Sequence, residues 1–150
     1  MGVCQGVSEQ NKPWYSDWMP RKPTPPVVAV IGFIDRINRG DIAGLGDLMT
    51  EDHQLLLFEE EPVVGKQANI SAWQGYARMC PDYVIYPHQI AERDGLVAVL
   101  GHTTGSHLGL PDEEEARETL IWLAEVRDGA LGTWRLVEDS PQNRREYGFA

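Results

Sequence analysis

The sequence predicts one α+β domain in which a bent, mostly antiparallel sheet lies against helices drawn from the first half of the chain. Three observations carry this. The element order reads helix, helix, strand, helix, then four strands in succession. Asp94-Gly95 and Asp128-Gly129 are strong short hairpin signals between those strands. The apolar period also changes from helical spacing in the first half to strand alternation in the second.

Residues 1–26 differ from the rest in composition and read as an N-terminal extension. It ends in the proline-rich linker Lys22-Pro23-Thr24-Pro25-Pro26. Trp14, Tyr15, Trp18 and Met19 concentrate aromatic surface there, either to pack on the domain's own surface or to act as a flap or a strap to a partner subunit. From Val27 the apolar residues Val27, Val30, Ile31, Ile34 and Ile37 repeat at helical spacing, with Thr24 placed to cap the helix and Gly40 to end it. Asp41 caps a second, short helix carrying Ile42, Leu45, Leu48 and Met49. His53 to Phe58 is a strand whose run Leu55-Leu56-Leu57-Phe58 does not alternate, so it is covered on both faces. Lys66 to Met79 is a third helix, with Ile70, Trp73, Ala77 and Cys80 on one stripe and Pro81 after it. The meander follows: Asp82 to Arg93, Leu96 to Thr104, Glu118 to Val126, and a last strand reaching Asp139 before Pro141. The domain spans 27–141, and 142–150 is a C-terminal tail.

A chain of 150 residues is long enough to bury a core without disulfides or metals. Its net charge of −10 has no basic stripe to neutralise phosphates, which argues against nucleic acid and disfavours anionic membranes. No apolar run approaches membrane-spanning length and no signal-peptide stretch precedes the domain. Cys4 and Cys80 have no CxxC or zinc spacing and read as free thiols of a cytoplasmic protein. Phosphate loops, nucleophile elbows and metal-ligand spacings are lacking, so no cofactor and no metal are expected.

Proton transfer is the chemistry the residues leave open. Asp139 closes an apolar strand, and a carboxylate at the end of a pocket serves as acid or base when desolvation raises its pKa. Strand parity sets a choice. Either Arg135, Val137 and Asp139 face the pocket, or Trp134, Leu136 and Glu138 do, and hydrophobicity alone favours the second set. His102 and Thr104 share one face of their strand, with His102 read first as a structural histidine and second as a proton shuttle. His53 and His88 are isolated in the sequence. Glu118, Leu120 and Trp122 share a parity, and Trp73 and Tyr76 lie on the third helix. These read as packing first and as pocket wall second. Glu59-Glu60-Glu61 and Asp112 to Glu115 read as solvated loop charges.

The chain resembles the nuclear transport factor two-like superfamily, and within it the SnoaL-like polyketide cyclases. The resemblance rests on Ile37-Asn38-Arg39-Gly40-Asp41, on Gly101 through Pro111, and on Val137-Glu138-Asp139-Ser140-Pro141. It implies a cone-shaped bent mixed or antiparallel sheet wrapped around three helices, an internal apolar pocket, and a homodimer. Asp139 falls where the cyclases keep an acid/base aspartate, and His102 and Thr104 fall on polar positions of the similar limonene epoxide hydrolases. Phe33, Leu55, Leu57 and Trp122 replace polar residues of the hydrolases, the steroid isomerases or the cyclases, which leaves an apolar wall. The resemblance therefore implies a small-molecule enzyme that cyclises, isomerises or dehydrates a hydrophobic, polyketide-like substrate. Asp139, His102 and Thr104 would be catalytic. Phe33, Leu55, Leu57, Trp73, Tyr76, Glu118 and Trp122 would contact substrate. A non-catalytic binder of an apolar ligand and a dimerisation module are the rival readings.

Overall fold

A computed structural model describes residues 24–149. Cys4 and the aromatic group Trp14, Tyr15, Trp18 and Met19 lie outside the described residues. The element order is α1 (Pro26–Arg39), α2 (Ile42–Asp47), β1 (Met49–Leu57), β2 (Val63–Val64), α3 (Lys66–Met79), β3 (Val84–Arg93), β4 (Leu96–Thr104), α4 (Asp112–Glu115), β5 (Leu120–Arg127), β6 (Ala130–Glu138) and α5 (Pro141–Glu146). The six strands form one sheet in the order β2-β1-β6-β5-β4-β3. Every pairing is antiparallel except β1 with β6, which is parallel.

The helices form where the apolar period places them. Ala29, Val30, Phe33, Ile34 and Ile37 make the buried stripe of α1; Ile31, expected on that stripe, lies with Val28 on the opposite side and is exposed. Gly40 closes α1 by donating its N–H to the Arg36 and Ile37 carbonyls. Thr24 is not the cap. Pro25 holds that position without a side-chain bond, and the proline in the first turn has no N–H to satisfy. Asp41 caps α2 as expected, accepting from the Gly44 N–H at 3.0 Å. Met49, expected on that helix, instead opens β1.

The meander from β3 to β6 is antiparallel throughout, and both Asp-Gly turns adopt the left-handed pair of conformations that a two-residue hairpin needs (φ 52° and 86°; 51° and 81°). Three irregularities bend the sheet: one in β1 against β6, one at His88 in β3, and one between Leu123 and Val126 in β5.

Two apolar clusters sandwich the sheet. The inner one joins α1 and Trp73 of α3 to Val97, Val99, Trp122, Ala124 and Trp134. The outer one is smaller: Ala98, Leu100, Ile121 and Leu123 close over Phe149. The segment read as a tail is thus a docked element. Ser140 caps α5 by accepting from Asn143 N–H at 3.0 Å, and Phe149 is only 5% exposed.

The interior that the resemblance reads as an apolar pocket is packed by the chain's own rings. Phe33 lies 5.0 Å from Trp134, and Trp134 stacks on Trp122 at 6.3 Å. Two concavities, of about 400 and 190 Å³, open instead on the outer face beside the C-terminal segment.

Candidate active site

Strand register decides which side chains meet. Leu120 pairs with Glu138 and Trp122 with Leu136, so Trp134, Leu136 and Glu138 share the inner parity of β6. Arg135, Val137 and Asp139 share the outer one. On β4, Val97, Val99 and Thr103 point inward, while Ala98, Leu100, His102 and Thr104 point outward. The expected catalytic trio of Asp139, His102 and Thr104 is therefore on the wrong side of the sheet to meet the interior.

Asp139 is also in the wrong electrostatic state for a desolvated base. Its carboxylate accepts from Arg144 Nε at 2.7 Å, from Arg144 Nη2 at 2.9 Å and from the Thr119 hydroxyl at 2.5 Å. The Arg144 guanidinium holds the Asp139 carboxyl below the ordinary carboxylate range, outweighing the effect of burial. His102 is on the same face, two strands away with Thr119 between, and its Nδ1 is 2.7 Å from His88 Nε2. His88, isolated in sequence, thus has a histidine partner. Thr104 pairs with Val84 at the end of β4.

The inner face supplies a different set of groups at the end of the sheet where β1, β4 and β6 finish and β5 begins. Leu55, Leu57, Leu120 and Leu136 are half-buried there and form an apolar border. Phe33 and Trp122 lie deeper, fully inside the core. Trp73 and Tyr76 of α3 meet edge to face at 6.2 Å, and Tyr76 meets Tyr83 the same way at 5.0 Å. The spacing i, i+3 on α3 puts the first two rings on one side of the helix. Glu118 is exposed and contacts the group only through its N–H, which donates to the Glu115 carbonyl at 3.0 Å. It is no part of the wall.

Glu115 corrects the reading of the acidic run. Asp112, Glu113 and Glu114 are exposed, but Glu115 is 1% exposed and turns under the β4 end. One of its carboxylate oxygens accepts from the Thr103 hydroxyl, and the other accepts from Ser106 N–H at 3.4 Å. Among the described residues no lysine, arginine or histidine pairs with it. Beside it, the Tyr76 hydroxyl donates to His107 Nδ1 at 2.9 Å and accepts the His107 N–H at 3.2 Å. Burial pushes the Tyr76 phenol up to about 12, with the Glu115 charge adding to the rise, and burial raises Tyr83 as well. Both phenols therefore keep their protons at neutral pH. The result is a buried acid, a hydroxyl, two protonated phenols and an imidazole at one end of the inner face.

A second polar group lies deeper. His53 is fully buried, and its Nδ1 is 2.6 Å from the Leu131 carbonyl. A carbonyl only accepts, so this geometry assigns the proton to Nδ1 and leaves Nε2 as a lone pair, unpartnered among the described residues. Burial lowers the His53 pKa and keeps the ring neutral. Asn69 is buried next to it, donating from Nδ2 to the carbonyls of His53, Val63 and Gly65 at 3.1, 2.9 and 2.9 Å. That side chain ties α3 to β1 and β2.

Sequence reasoning missed Glu115, Thr103, Tyr83, His107 and His53. Thr103 was legible, since it shares parity with Val97 and Val99. Glu115 carried no signal, because four consecutive acids do not reveal which one turns inward. No group of three or more histidine, cysteine, aspartate or glutamate side chains converges among the described residues. No helix among them is long and apolar enough to cross a membrane.

The family of SnoaL-like domains matches residues 30–132. No curated protein matches the chain. Solved structures share the fold at low identity. A cystatin-fold protein from Novosphingobium aromaticivorans superposes with a TM-score of 0.66 at 14% identity, covering 77% of this chain and 99% of the other. A protein provisionally named a polyketide cyclase, from Sinorhizobium meliloti, gives 0.63 at 17% identity, with coverages of 76% and 100%. An epoxide hydrolase of the limonene type from Mycobacterium tuberculosis gives 0.59 at 14%, with 77% and 84%.

Proposed function

The chain belongs to the family of SnoaL-like domains, and from that premise we propose that it is an enzyme acting by proton transfer on an apolar small molecule at the open end of its bent sheet. Glu115 is the proton-transferring group. The observation that carries this is a carboxyl buried to 1% exposure, held by a hydroxyl and an amide and paired with no cation among the described residues. A carboxylate in such surroundings sheds little charge to its neighbours and is available to take a proton from a substrate that displaces its cover. The protonated Tyr76 phenol, once its O–H turns from His107 Nδ1 to the substrate, supplies a hydrogen bond to oxygen that gains charge as the proton leaves, which is how an enolate is stabilised. Trp73, Tyr76 and Tyr83 offer ring faces to a flat substrate, and Leu55, Leu57, Leu120 and Leu136 offer the apolar rim. Cyclisation, isomerisation and dehydration of a polyketide-like compound all begin with this step.

The test reads the step itself, without requiring the natural product. The full chain is incubated in deuterated water with planar polycyclic phenols and 1,3-dicarbonyl compounds, and exchange at the acidic carbon is followed by NMR. Exchange by the wild type, lost about 10²–10⁴-fold in Glu115→Gln but kept in Asp139→Asn, supports the proposal. Exchange lost in Asp139→Asn and kept in Glu115→Gln would return catalysis to the outer face. Binding without exchange favours the non-catalytic reading, to which the packed rings of Phe33, Trp122 and Trp134 lend weight.

A further inference from the structure

The outer face holds a pair of imidazoles that the inner site does not use. His88 Nε2 and His102 Nδ1 face each other at 2.7 Å, with ring centroids 4.9 Å apart. The arrangement is built by the backbone. Tyr86 pairs with His102 and Pro87 with Gly101, but the next pairing is Gln89 with Leu100, so His88 is the extra residue of a bulge. A bulge re-aims the side chain it carries. It also depends on Gly101, where a Cβ would lie 2.3 Å from the Tyr86 carbonyl oxygen. Tyr86 then stacks flat on the His102 ring at 4.7 Å, with an interplanar angle of 16°, and fixes its plane.

We propose that His88 and His102 form a two-histidine site for a divalent transition metal ion on the outer face of the sheet. Two neutral rings with nitrogens facing one another share a single hydrogen; when that hydrogen moves to the far nitrogen of its own ring, each ring keeps one N–H and both facing lone pairs are open to one cation. Metal–nitrogen bonds of about 2.0–2.1 Å place neighbouring ligand nitrogens about 2.9 Å apart in square-planar geometry and about 3.3 Å apart in tetrahedral geometry. The observed 2.7 Å is close to the first separation, and both rings must turn so that their lone pairs converge on a point beside the line joining the nitrogens, which suits Cu²⁺ and Ni²⁺ best and Zn²⁺ next. Imidazole ligands select these ions over Mg²⁺ and Ca²⁺, which want oxygen. His88 is exposed and His102 half-buried, so the ion is reachable from solvent and keeps positions open for water or another ligand. The chain's net charge of −10 favours a bound cation. The site is independent of Glu115 and stands or falls separately from the proposed activity.

The experiment titrates the full, untagged chain with CuCl₂, ZnCl₂ and MgCl₂ by calorimetry and records the EPR spectrum of the Cu²⁺ form. One Cu²⁺ per chain with a two-nitrogen hyperfine pattern, weaker Zn²⁺ binding and no Mg²⁺ binding is the expected result. His88→Gln and His102→Gln should each weaken Cu²⁺ binding at least about tenfold, the scale of a disturbed metal centre, while His107→Gln leaves it unchanged. Far-UV circular dichroism checks that the variants fold. If one does not, selective Cu²⁺ broadening of the His88 and His102 ring protons in the wild type decides the question. No Cu²⁺ or Zn²⁺ binding by the wild type, wild-type Cu²⁺ affinity in either single variant, or broadening confined to other residues would overturn the proposal.

Discussion

Asp139 and Arg144 form a two-point ion pair, with Nε on one carboxylate oxygen at 2.7 Å and Nη2 on the other at 2.9 Å. It clamps the end of β6 to α5, five residues on, and so holds Phe149 over the outer cluster. Because the folded-state pKa of Asp139 is depressed below 3.8, the clamp stabilises the fold above that value and is lost as pH falls through the lower, folded one. Asp139→Asn should therefore unfold at lower urea concentration than the wild type at neutral pH. The gap should close as the solution is taken down to about pH 2. A gap that persists in acid would mean that the charge is not what the pair contributes.

His53 gives a second pH signature, on a higher range. Its folded pKa is lowered from 6.5 by burial, so the unfolded chain binds the proton more readily. Stability is fully present above 6.5 and falls as the pH drops through 6.5 toward the folded value. The limiting slope is about 1.4 kcal/mol per pH unit for one proton. His53→Gln should flatten that stretch of the stability curve. An unchanged slope in the variant would show that His53 is not the titrating group.

Gly101 has no room for a side chain, since an added Cβ would sit 2.3 Å from the Tyr86 oxygen and 3.1 Å from the Pro87 Cα. Both obstacles are backbone and cannot swing aside. Gly101→Ala should cost about 1–3 kcal/mol of stability, the range for forced overpacking, and should disturb the His88 bulge. Denaturant melts give the first quantity, and the His88 and His102 ring resonances report the second. Wild-type stability in the alanine variant would contradict the packing described.

Phe33 contacts Trp134 at 5.0 Å and His53 at 5.8 Å, with no solvent exposure. Phe33→Ala should cost about 3–5 kcal/mol and leave an apolar hole beside Trp134. A small aromatic such as benzene should then raise the melting temperature of the variant and leave that of the wild type alone. Equal responses would show that the interior already holds open space.

The fold was largely legible because its signals are local. The α1 helix, the Asp41 cap and the two Asp-Gly turns each depend on a few adjacent residues, and all four formed, although Ile31 falls outside the buried stripe. The short β2 and α4 were missed, being two and four residues long with no period to read. The site was harder. Hydrophobicity pointed Trp134 and Leu136 inward, as the structure has them, whereas carrying over an aspartate from a resemblance turned the strand by one residue and brought Asp139 inside. One residue of register decides the face, and similarity at low identity does not fix register. Glu115 and the His88–His102 pair depend on a helical turn and on a bulge, and neither leaves a trace in residue spacing.

The parallel pairing of β1 with β6 joins residues far apart in the chain: Met49 meets Leu131, 82 residues on, and Leu57 meets Leu136, 79 residues on.

During synthesis, β1 therefore leaves the ribosome with β2 as its only available neighbour in the sheet, and its other edge stays unpaired until β6 has emerged. In the meander β3–β4 and β5–β6 close through two-residue turns and β4–β5 through the connection that carries α4, so each strand pairs with its neighbour in sequence and needs no such wait. The earliest strand to be made is among the last to be enclosed, and a nascent chain halted before residue 130 exposes Leu55, Leu56 and Leu57 to chaperones.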